Sequence, residues 1–137
     1  MAVRVHRVKY AYVTVRDRPG EAYQLLGALA EKGVKLLAFG TFPTSPGQTQ
    51  LQLFPADFDR LITVASQTGM ILTEPHIAFL VQGQDELGAL VDIHRRLYDA
   101  NINVFASNGV TDGRGGYGYV LYVRPEDCDS AAAALGI

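Results

Sequence analysis

Cysteine and histidine are scarce in this 137-residue sequence, and their positions argue against redox and metal chemistry. Cys128 is the only cysteine, so no intrachain disulfide is possible. It falls in a predicted helix with no base nearby in the sequence, which favours a small helix residue over a nucleophile. The three histidines, His6, His76 and His94, do not have the spacing of ligands to one metal ion. We therefore expect no metal site, and we expect His94, which lies beside two arginines, to be solvated.

Charge and long apolar runs are also scarce. Charged residues make up 19% of the chain, and the formal net charge is −2. Nucleic-acid-binding domains usually carry a strong basic patch, whereas the densest basic stretch here, residues 4–9, alternates with valine like a strand with one solvated face. No apolar run reaches the roughly 18 residues that span a membrane, and charges interrupt the N-terminus where a signal peptide would be apolar. We expect a cytoplasmic protein with no nucleic-acid or membrane partner.

Motifs for catalysis are missing as well. The carboxylates are scattered, and Ser107 lacks the glycine setting of a nucleophile elbow. The glycine-rich stretch of residues 113–118 lies between two predicted strands, whereas a phosphate loop lies between a strand and a helix N-terminus. This position favours a flexible hairpin. We expect no catalytic residue, no cofactor and no enzymatic activity.

What the sequence does have is apolar periodicity, with 48% hydrophobic residues, enough for a core. The first half predicts a strand, a helix that Asp17 caps and Pro19 opens, a hairpin, a second helix closed by Gly69, and a fourth strand at residues 70–73. The second half predicts the same order, with a strand at residues 76–81, a helix opening at Asp85, a strand entered through residues 101–105, another strand and a last helix.

These two halves are copies of one unit. Asp17 and Gly20 recur 68 residues later as Asp85 and Gly88. After the turn of the hairpin the step becomes 70, which pairs Leu51 with Leu121 and Leu53 with Val123. This pairing predicts a hairpin two residues longer in the second copy, an even step that keeps each strand residue on its own face.

The duplication predicts two domains, residues 1–73 and residues 74–137. The second copy ends directly after its last helix, so its sheet is one strand short. At the other end of the chain, Val3 and Val5 continue the apolar face of the first strand until Arg7 and Lys9 interrupt it. Two interpretations stay open: residues 3–8 complete the second sheet, or the first strand is one long overhanging strand.

The two strand-to-helix loops are the candidate binding sites. Glycine at Gly20 and Gly88 lets a ligand approach the backbone closely, and a helix N-terminus attracts a carboxylate. The oxygens of Asp17 or Asp85 could accept hydrogen bonds from an ammonium group. A zwitterionic amino acid suits this pairing, although the same residue pattern is also an ordinary helix entry.

Residues 12–22 (YVTVRDRPGEA) and residues 29–34 (LAEKGV) resemble the opening of an ACT domain, and residues 97–104 (LYDANINV) repeat part of it more loosely. The resemblance covers nearly the whole chain as two tandem copies. It implies an α+β fold of two ferredoxin-like βαββαβ units, with antiparallel sheets and helices on one face. It also implies amino-acid binding where two copies meet, and regulation of amino-acid metabolism.

The resemblance places a ligand site at the first strand–helix loop of one copy, facing the second strand of a neighbour. Carried over by position, the site residues are Asp17, Pro19, Gly20, Asp85, Leu87, Gly88 and Asn103. The family often has asparagine where the second copy has Asn103, whereas the first copy has Lys35. The second copy in turn has Leu87 in place of the family's proline. We therefore expect unequal sites, with Asn103 as the better ligand contact.

The preferred hypothesis is a small regulatory protein that binds an amino acid between ACT-like domains and signals to a partner, such as a regulated enzyme. We expect it to be a homodimer. The alternative is a structural or regulatory-subunit interaction module with no small-molecule ligand, which Lys35 and Leu87 favour. A third hypothesis, an enzyme of ferredoxin-like fold, requires an acid/base pair that the sequence does not show.

Overall fold

A computed structural model describes residues 3–137, which form two compact units. One unit is Lys9–His76, and the other combines Ile77–Ile137 with the chain up to Val8. Each unit packs two α-helices on antiparallel strands, so the fold is α+β with two ferredoxin-like units in tandem, as the sequence predicts. We call them the first unit (Lys9–His76) and the second unit.

The first unit has the strand order β2-β3-β1. Its elements are β1 (Arg4–Arg16), α1 (Glu21–Glu31), β2 (Leu36–Ser45), β3 (Gln48–Pro55) and α2 (Phe58–Thr68). Alternation along the strands turns one face toward both helices, and this face forms the core. Its buried residues are Val13, Leu29, Val34, Leu53, Leu61 and Val64.

The segment after α2 differs from its predicted form. Gly69 ends the helix with a φ of 76°, a conformation that suits glycine. Residues 70–73 were expected to be a fourth strand, but this prediction is wrong. The peptide N–H of Thr73 donates to the Tyr12 carbonyl (3.1 Å), while the Thr73 hydroxyl accepts from the Tyr12 N–H (3.0 Å). A side-chain oxygen thus replaces the backbone carbonyl that a strand ladder would use.

The second unit has the strand order β1-β4-β6-β5. Its further elements are β4 (His76–Gln84), α3 (Val91–Asp99), β5 (Ala106–Thr111), β6 (Gly116–Tyr122) and α4 (Cys128–Leu135), the last preceded by a 3₁₀ turn (Pro125–Asp127). Helices and strands again share one core. Its largest fully buried side chains are those of Phe79, Val81, Leu97 and Leu121.

The N-terminal part of β1 contacts the second unit. The strand runs without a break from Arg4 to Arg16, but the chain up to Val8 belongs to the second unit. Val5 packs against the core of that unit. The guanidinium of Arg7 donates to the carboxylate of Asp129 in α4 at 2.7 Å.

The strand registers correct the repeat derived from the sequence. Ala11 pairs with Leu53 in the first unit, and Phe79 pairs with Leu121 in the second. Ala11 and Phe79 are 68 positions apart, and so are Leu53 and Leu121. The step therefore does not change to 70 within the hairpin, and the predicted longer hairpin is wrong. Apolar alternation has a period of two, so a shift by two residues leaves the pattern unchanged and cannot reveal the register.

The extra two residues of the second copy lie after the hairpin instead. Asp57 precedes α2 and Asp127 precedes α4, and these two positions are 70 apart. Asp57 caps its helix by accepting from the Arg60 N–H at 3.2 Å, whereas Asp127 makes no such bond and ends the 3₁₀ turn. The insertion therefore lengthens the connection from β6 to α4.

Candidate ligand-binding site

A cavity of about 460 Å³ opens beside the loop between β4 and α3 in the second unit. Its volume is in the range typical of sites for small molecules. The wall is built from the loop and the start of α3, from β5 and from β6. The lining residues are Asp85, Glu86 and residues 88–91, 109–111 and 117–119.

The late start of α3 helps to open this cavity. By the repeat, position 89 is the counterpart of Glu21, where α1 begins, yet α3 begins at Val91. The preceding residues form a turn, in which the Ala89 N–H donates to the Glu86 carbonyl at 3.0 Å. Gly88 has a φ of 76°, which suits glycine and bends the loop before the helix. The prediction that a helix opens at Asp85 is therefore wrong.

Two tyrosines form an aromatic floor. Tyr117 and Tyr119 are two residues apart on β6, so their side chains lie on the same face of the sheet. Each ring packs over a glycine of a neighbouring strand. A Cβ atom on Gly83 would lie 2.9 Å from the Tyr117 hydroxyl oxygen, and one on Gly109 would lie 2.8 Å from a ring carbon of Tyr119. The absence of side chains at these glycines lets the rings lie against the sheet.

Tyr119 also fastens α3 to the sheet. Its side chain is buried, and its hydroxyl lies 2.6 Å from Nε2 of His94. His94 is exposed, as expected, but the sequence did not reveal its contact with Tyr119. His94 follows Leu90 by one helical turn, which places it on the side of α3 near the cavity.

Tyr117 contrasts with Tyr119. Its hydroxyl oxygen is buried and, within residues 3–137, has no hydrogen-bond partner. Burial raises the pKa of this phenol, because the charged phenolate would lose hydration. Tyr117 thus lines the cavity as a residue, while its unsatisfied hydroxyl lies beneath the surface against Gly83.

The charged side chains of the cavity wall are carboxylates. Asp85 and Glu86 are exposed, and none of the described residues that line the cavity is basic. The backbone of Asp85 is held in place, since its N–H donates to the Gly115 carbonyl at the hairpin tip (2.8 Å). A cationic group is therefore favoured beside these carboxylates, and an anionic group at the positive end of the α3 dipole.

The structure brings together only some of the residues expected at a site. Asp85 and Gly88 line the cavity, whereas the side chain of Leu87 is fully exposed and lies outside its wall. Asn103 is exposed and also lies outside the wall. It precedes β5, which begins at Ala106, so residues 101–105 lead into this strand as expected.

The equivalent loop of the first unit is open to solvent. Asp17, Pro19 and Gly20 are all exposed. Gly20, with a φ of 93°, occupies the position before α1, so the predicted helix cap at Asp17 and helix opening at Pro19 are wrong. Asp17 instead donates its N–H to the Gly47 carbonyl at 3.0 Å, the counterpart of the bond from Asp85. Equivalent backbone hydrogen bonds therefore hold the two aspartates in similar loops.

Sequence reasoning missed the cavity floor. The signal was the alternation of residues 116–119 (GYGY), which places two tyrosines on one face of a strand. Glycine content drew the interpretation toward a flexible hairpin, and β5 and β6 do form an antiparallel hairpin there. The glycines beneath the rings, Gly83 and Gly109, are distant in sequence and give no local signal.

Other chemistry finds little support in residues 3–137. This part of the chain contains no group of three or more His, Cys, Asp or Glu residues that could hold a metal ion. Burial raises the pKa of the Cys128 thiol, which disfavours the reactive thiolate. No helix in the described range is long and apolar enough to cross a membrane.

Comparison with solved structures supports an ACT-type fold for this chain. It is similar to a protein from Bacteroides thetaiotaomicron, with a TM-score of 0.75 and 12% identity over 94% of this chain and 88% of that one. It is also similar to the regulatory subunit of aspartate kinase from Thermus thermophilus in its ligand-free form (TM-score 0.61, 15% identity, 97% and 93% coverage).

A third similar structure is that of aspartokinase alpha and beta subunits, with a TM-score of 0.63, 18% identity and coverage of 98% and 95%. The sequence matches no protein-family model, and no curated protein matches it. At these identities the similarity shows the fold. A fourth similar structure is that of a C-terminal regulatory domain of an aspartate kinase from Porphyromonas gingivalis. Two of these four structures are therefore regulatory parts of aspartate kinases.

Proposed function

We propose that this chain is a non-enzymatic tandem ACT protein that binds an amino acid in the second unit and signals its presence to a partner. The observation that carries the proposal is the cavity at the loop of Asp85 and Gly88. The ACT resemblance implied a ligand at this loop, and the regulatory subunits among the similar structures support a regulatory role.

The polarity of the cavity suits a zwitterion. The ammonium group of the ligand lies beside Asp85 and Glu86, while its carboxylate faces the start of α3. The side chain of the ligand then rests on the rings of Tyr117 and Tyr119. The first unit has Leu51 at the position of Tyr119 and Thr41 at that of Gly109, so we propose one binding unit in each chain.

The signal passes through β5. Gly109, Val110 and Thr111 line the cavity, and all six residues of this edge strand are exposed. An edge strand offers unpaired peptide groups to another chain. We propose that a homodimer or a regulated enzyme contacts β5, so that an amino acid in the cavity changes the surface that the partner meets.

The N-terminal segment has a structural role in this proposal. Residues 3–8 complete the sheet of the second unit, with the two domains otherwise divided as residues 1–73 and 74–137. Support comes from the packing of Val5 on the second core and from the ion pair between Arg7 and Asp129.

A thermal-shift screen against the twenty amino acids tests the function. A ligand that binds only the folded state stabilises it by about 2.7 kcal/mol at one hundred times its Kd. We expect one amino acid, or a few of related chemistry, to raise the Tm by several degrees, which is roughly the shift that such a free-energy gain produces.

Matched variants locate the site. Asp85→Asn removes the carboxylate from the cavity and should weaken binding at least about tenfold, the equivalent of roughly 1.4 kcal/mol. Asp17→Asn makes the same change at the equivalent loop of the first unit and should leave binding intact. Equal effects of the two variants would place the ligand elsewhere.

The interaction module without a ligand has an observation of its own. Leu87, Val91 and Tyr98 are exposed apolar side chains on and just before α3, at helical spacing. If no amino acid at millimolar concentration changes the Tm, this second function is favoured, and the cavity is not a sensing site.

A further inference from the structure

Two tyrosines of one strand have opposite hydrogen-bonding states. Tyr117 and Tyr119 lie two residues apart on β6, share one face and line the same cavity. The hydroxyl of Tyr119 has a partner in His94, whereas the buried hydroxyl of Tyr117 has none within the described chain. Position 117 therefore carries a polar atom that no group of the described chain satisfies.

An unpartnered buried hydroxyl is costly, because it loses hydrogen bonds to water and gains none in the protein. Phenylalanine at position 117 would keep the ring against Gly83 without this cost. Native proteins leave few such groups unsatisfied, and those that remain call for an explanation. The ring of Tyr117 lines the cavity, so an occupant of the cavity is the nearest source of a partner.

The surroundings of Tyr117 allow its hydroxyl to turn toward an occupant. The oxygen rests over Gly83, which has no side chain to hold the ring in place. The ring is only partly buried, although its oxygen is shut off from solvent. To meet a ligand atom the oxygen would have to rotate toward the cavity, and no side chain at position 83 would have to move for this.

We propose that the cavity selects an amino acid with a hydrogen-bonding side chain, and that the Tyr117 hydroxyl is the group that recognises it. This inference rests on the proposed function and names the class of its ligand. A tyrosine hydroxyl is protonated near neutral pH, and burial raises the pKa of Tyr117 further, so this hydroxyl can donate to an oxygen of the ligand's side chain. A site built around such a bond discriminates against apolar isosteres, which leave the hydroxyl unpaired.

The experiment compares Tyr117→Phe with Tyr119→Phe, each with and without amino acids in near-isosteric pairs, such as threonine with valine and glutamine with methionine. Without ligand, Tyr117→Phe should keep or raise the Tm, because it removes an unsatisfied group. Tyr119→Phe should lower the Tm, because it removes the bond to His94. This comparison needs no knowledge of the ligand.

With ligand, the polar member of a pair should bind wild-type protein at least about tenfold more tightly than the apolar member. Tyr117→Phe should remove most of this preference by weakening the polar ligand and leaving the apolar one nearly unchanged. A merely structural tyrosine would change the Tm without changing the preference.

The possible results separate the two proposals. If Tyr117→Phe lowers the Tm of the free protein as Tyr119→Phe does, the hydroxyl has a partner without ligand and the inference fails. If an apolar amino acid binds as tightly as its polar isostere, amino-acid binding stands and the inference again fails. If no amino acid binds either protein, both the proposed function and this inference are overturned.

Discussion

His94 of α3 and Tyr119 of the sheet are joined by a contact between their side chains, 2.6 Å from Nε2 to the hydroxyl oxygen. The two ends of this contact differ in environment, because Tyr119 is buried and His94 is exposed. Removing one partner should therefore change the free energy of unfolding by a different amount from removing the other. Without His94, a buried hydroxyl is left without its bond, whereas without the hydroxyl, the histidine can bind water.

This asymmetry gives the first prediction. His94→Ala should lower the free energy of unfolding by about 1–3 kcal/mol, and Tyr119→Phe by only about 0.5–1.5 kcal/mol. The double variant should be close to Tyr119→Phe alone, because the histidine then has no bond to lose. Urea denaturation of the four proteins measures the cycle. Additive losses in the double variant would show that the two side chains do not interact in solution.

The N-terminal segment gives the second prediction. Deletion of residues 1–8 removes the strand beside β4 and the packing of Val5, so amide protons of β4 should exchange faster with solvent, while those of β3 keep their protection. Hydrogen exchange followed by NMR makes the comparison.

The control for this deletion is Arg7→Ala, which removes only the exposed ion pair with Asp129. It should cost no more than about 1 kcal/mol and leave β4 protected. Unchanged exchange in β4 after the deletion would mean that residues 3–8 do not complete the second sheet.

Sequence reasoning predicted the elements of each copy well, because local signals specify them. Gly69 ends α2 as expected, and the alternation around Leu51 and Leu53 gives a strand. The register of the hairpin could not be obtained in the same way. It depends on which residue of β4 faces Leu121, and a shift by two residues preserves every local signal.

Only some residues of the cavity could be predicted from the sequence, because only some of them carry a local signal. Asp85 and Gly88 carry a local loop signal, so they were identified from the sequence. Tyr117, which lines the cavity, packs over Gly83, a residue that is 34 positions away and is brought alongside only by strand pairing. Contacts of this kind arise from tertiary structure and leave no pattern within a short window.

The hairpin tip of the second unit should respond to acid. Asp112 accepts hydrogen bonds from the N–H groups of Arg114 (2.6 Å) and Gly116 (3.0 Å), and these bonds lower the pKa of its carboxyl. Because the folded-state pKa is below the unfolded value of about 3.9, the unfolded chain binds the proton more readily. The stabilisation is therefore present above roughly pH 4 and is lost as the pH falls through the folded-state pKa.

Asp112→Asn tests this dependence. The amide oxygen can still accept a hydrogen bond but carries no charge, so acid unfolding should lose the contribution of this group and become less steep below roughly pH 4. Circular dichroism as a function of pH in dilute urea measures the change. Identical acid profiles for the variant and wild type would show that Asp112 is not held by these N–H groups in solution.

Glycines of the tyrosine floor give the last prediction, which compares two glycines near each other in the sheet. A Cβ at Gly109 would lie 2.8 Å from a ring carbon of Tyr119, whereas a Cβ at Gly118 has no atom within 4 Å. Gly109→Ala should therefore cost about 1–3 kcal/mol through overpacking, and Gly118→Ala should be neutral or stabilise by up to about 1 kcal/mol through the unfolded chain. Chemical denaturation measures both, with Tyr119→Leu in the Gly109→Ala background as a check. If Tyr119 causes the clash, the added alanine costs less in that background than in wild type, and an equal cost in both would place the clash at the Gly118 carbonyl oxygen, 3.3 Å from the added Cβ.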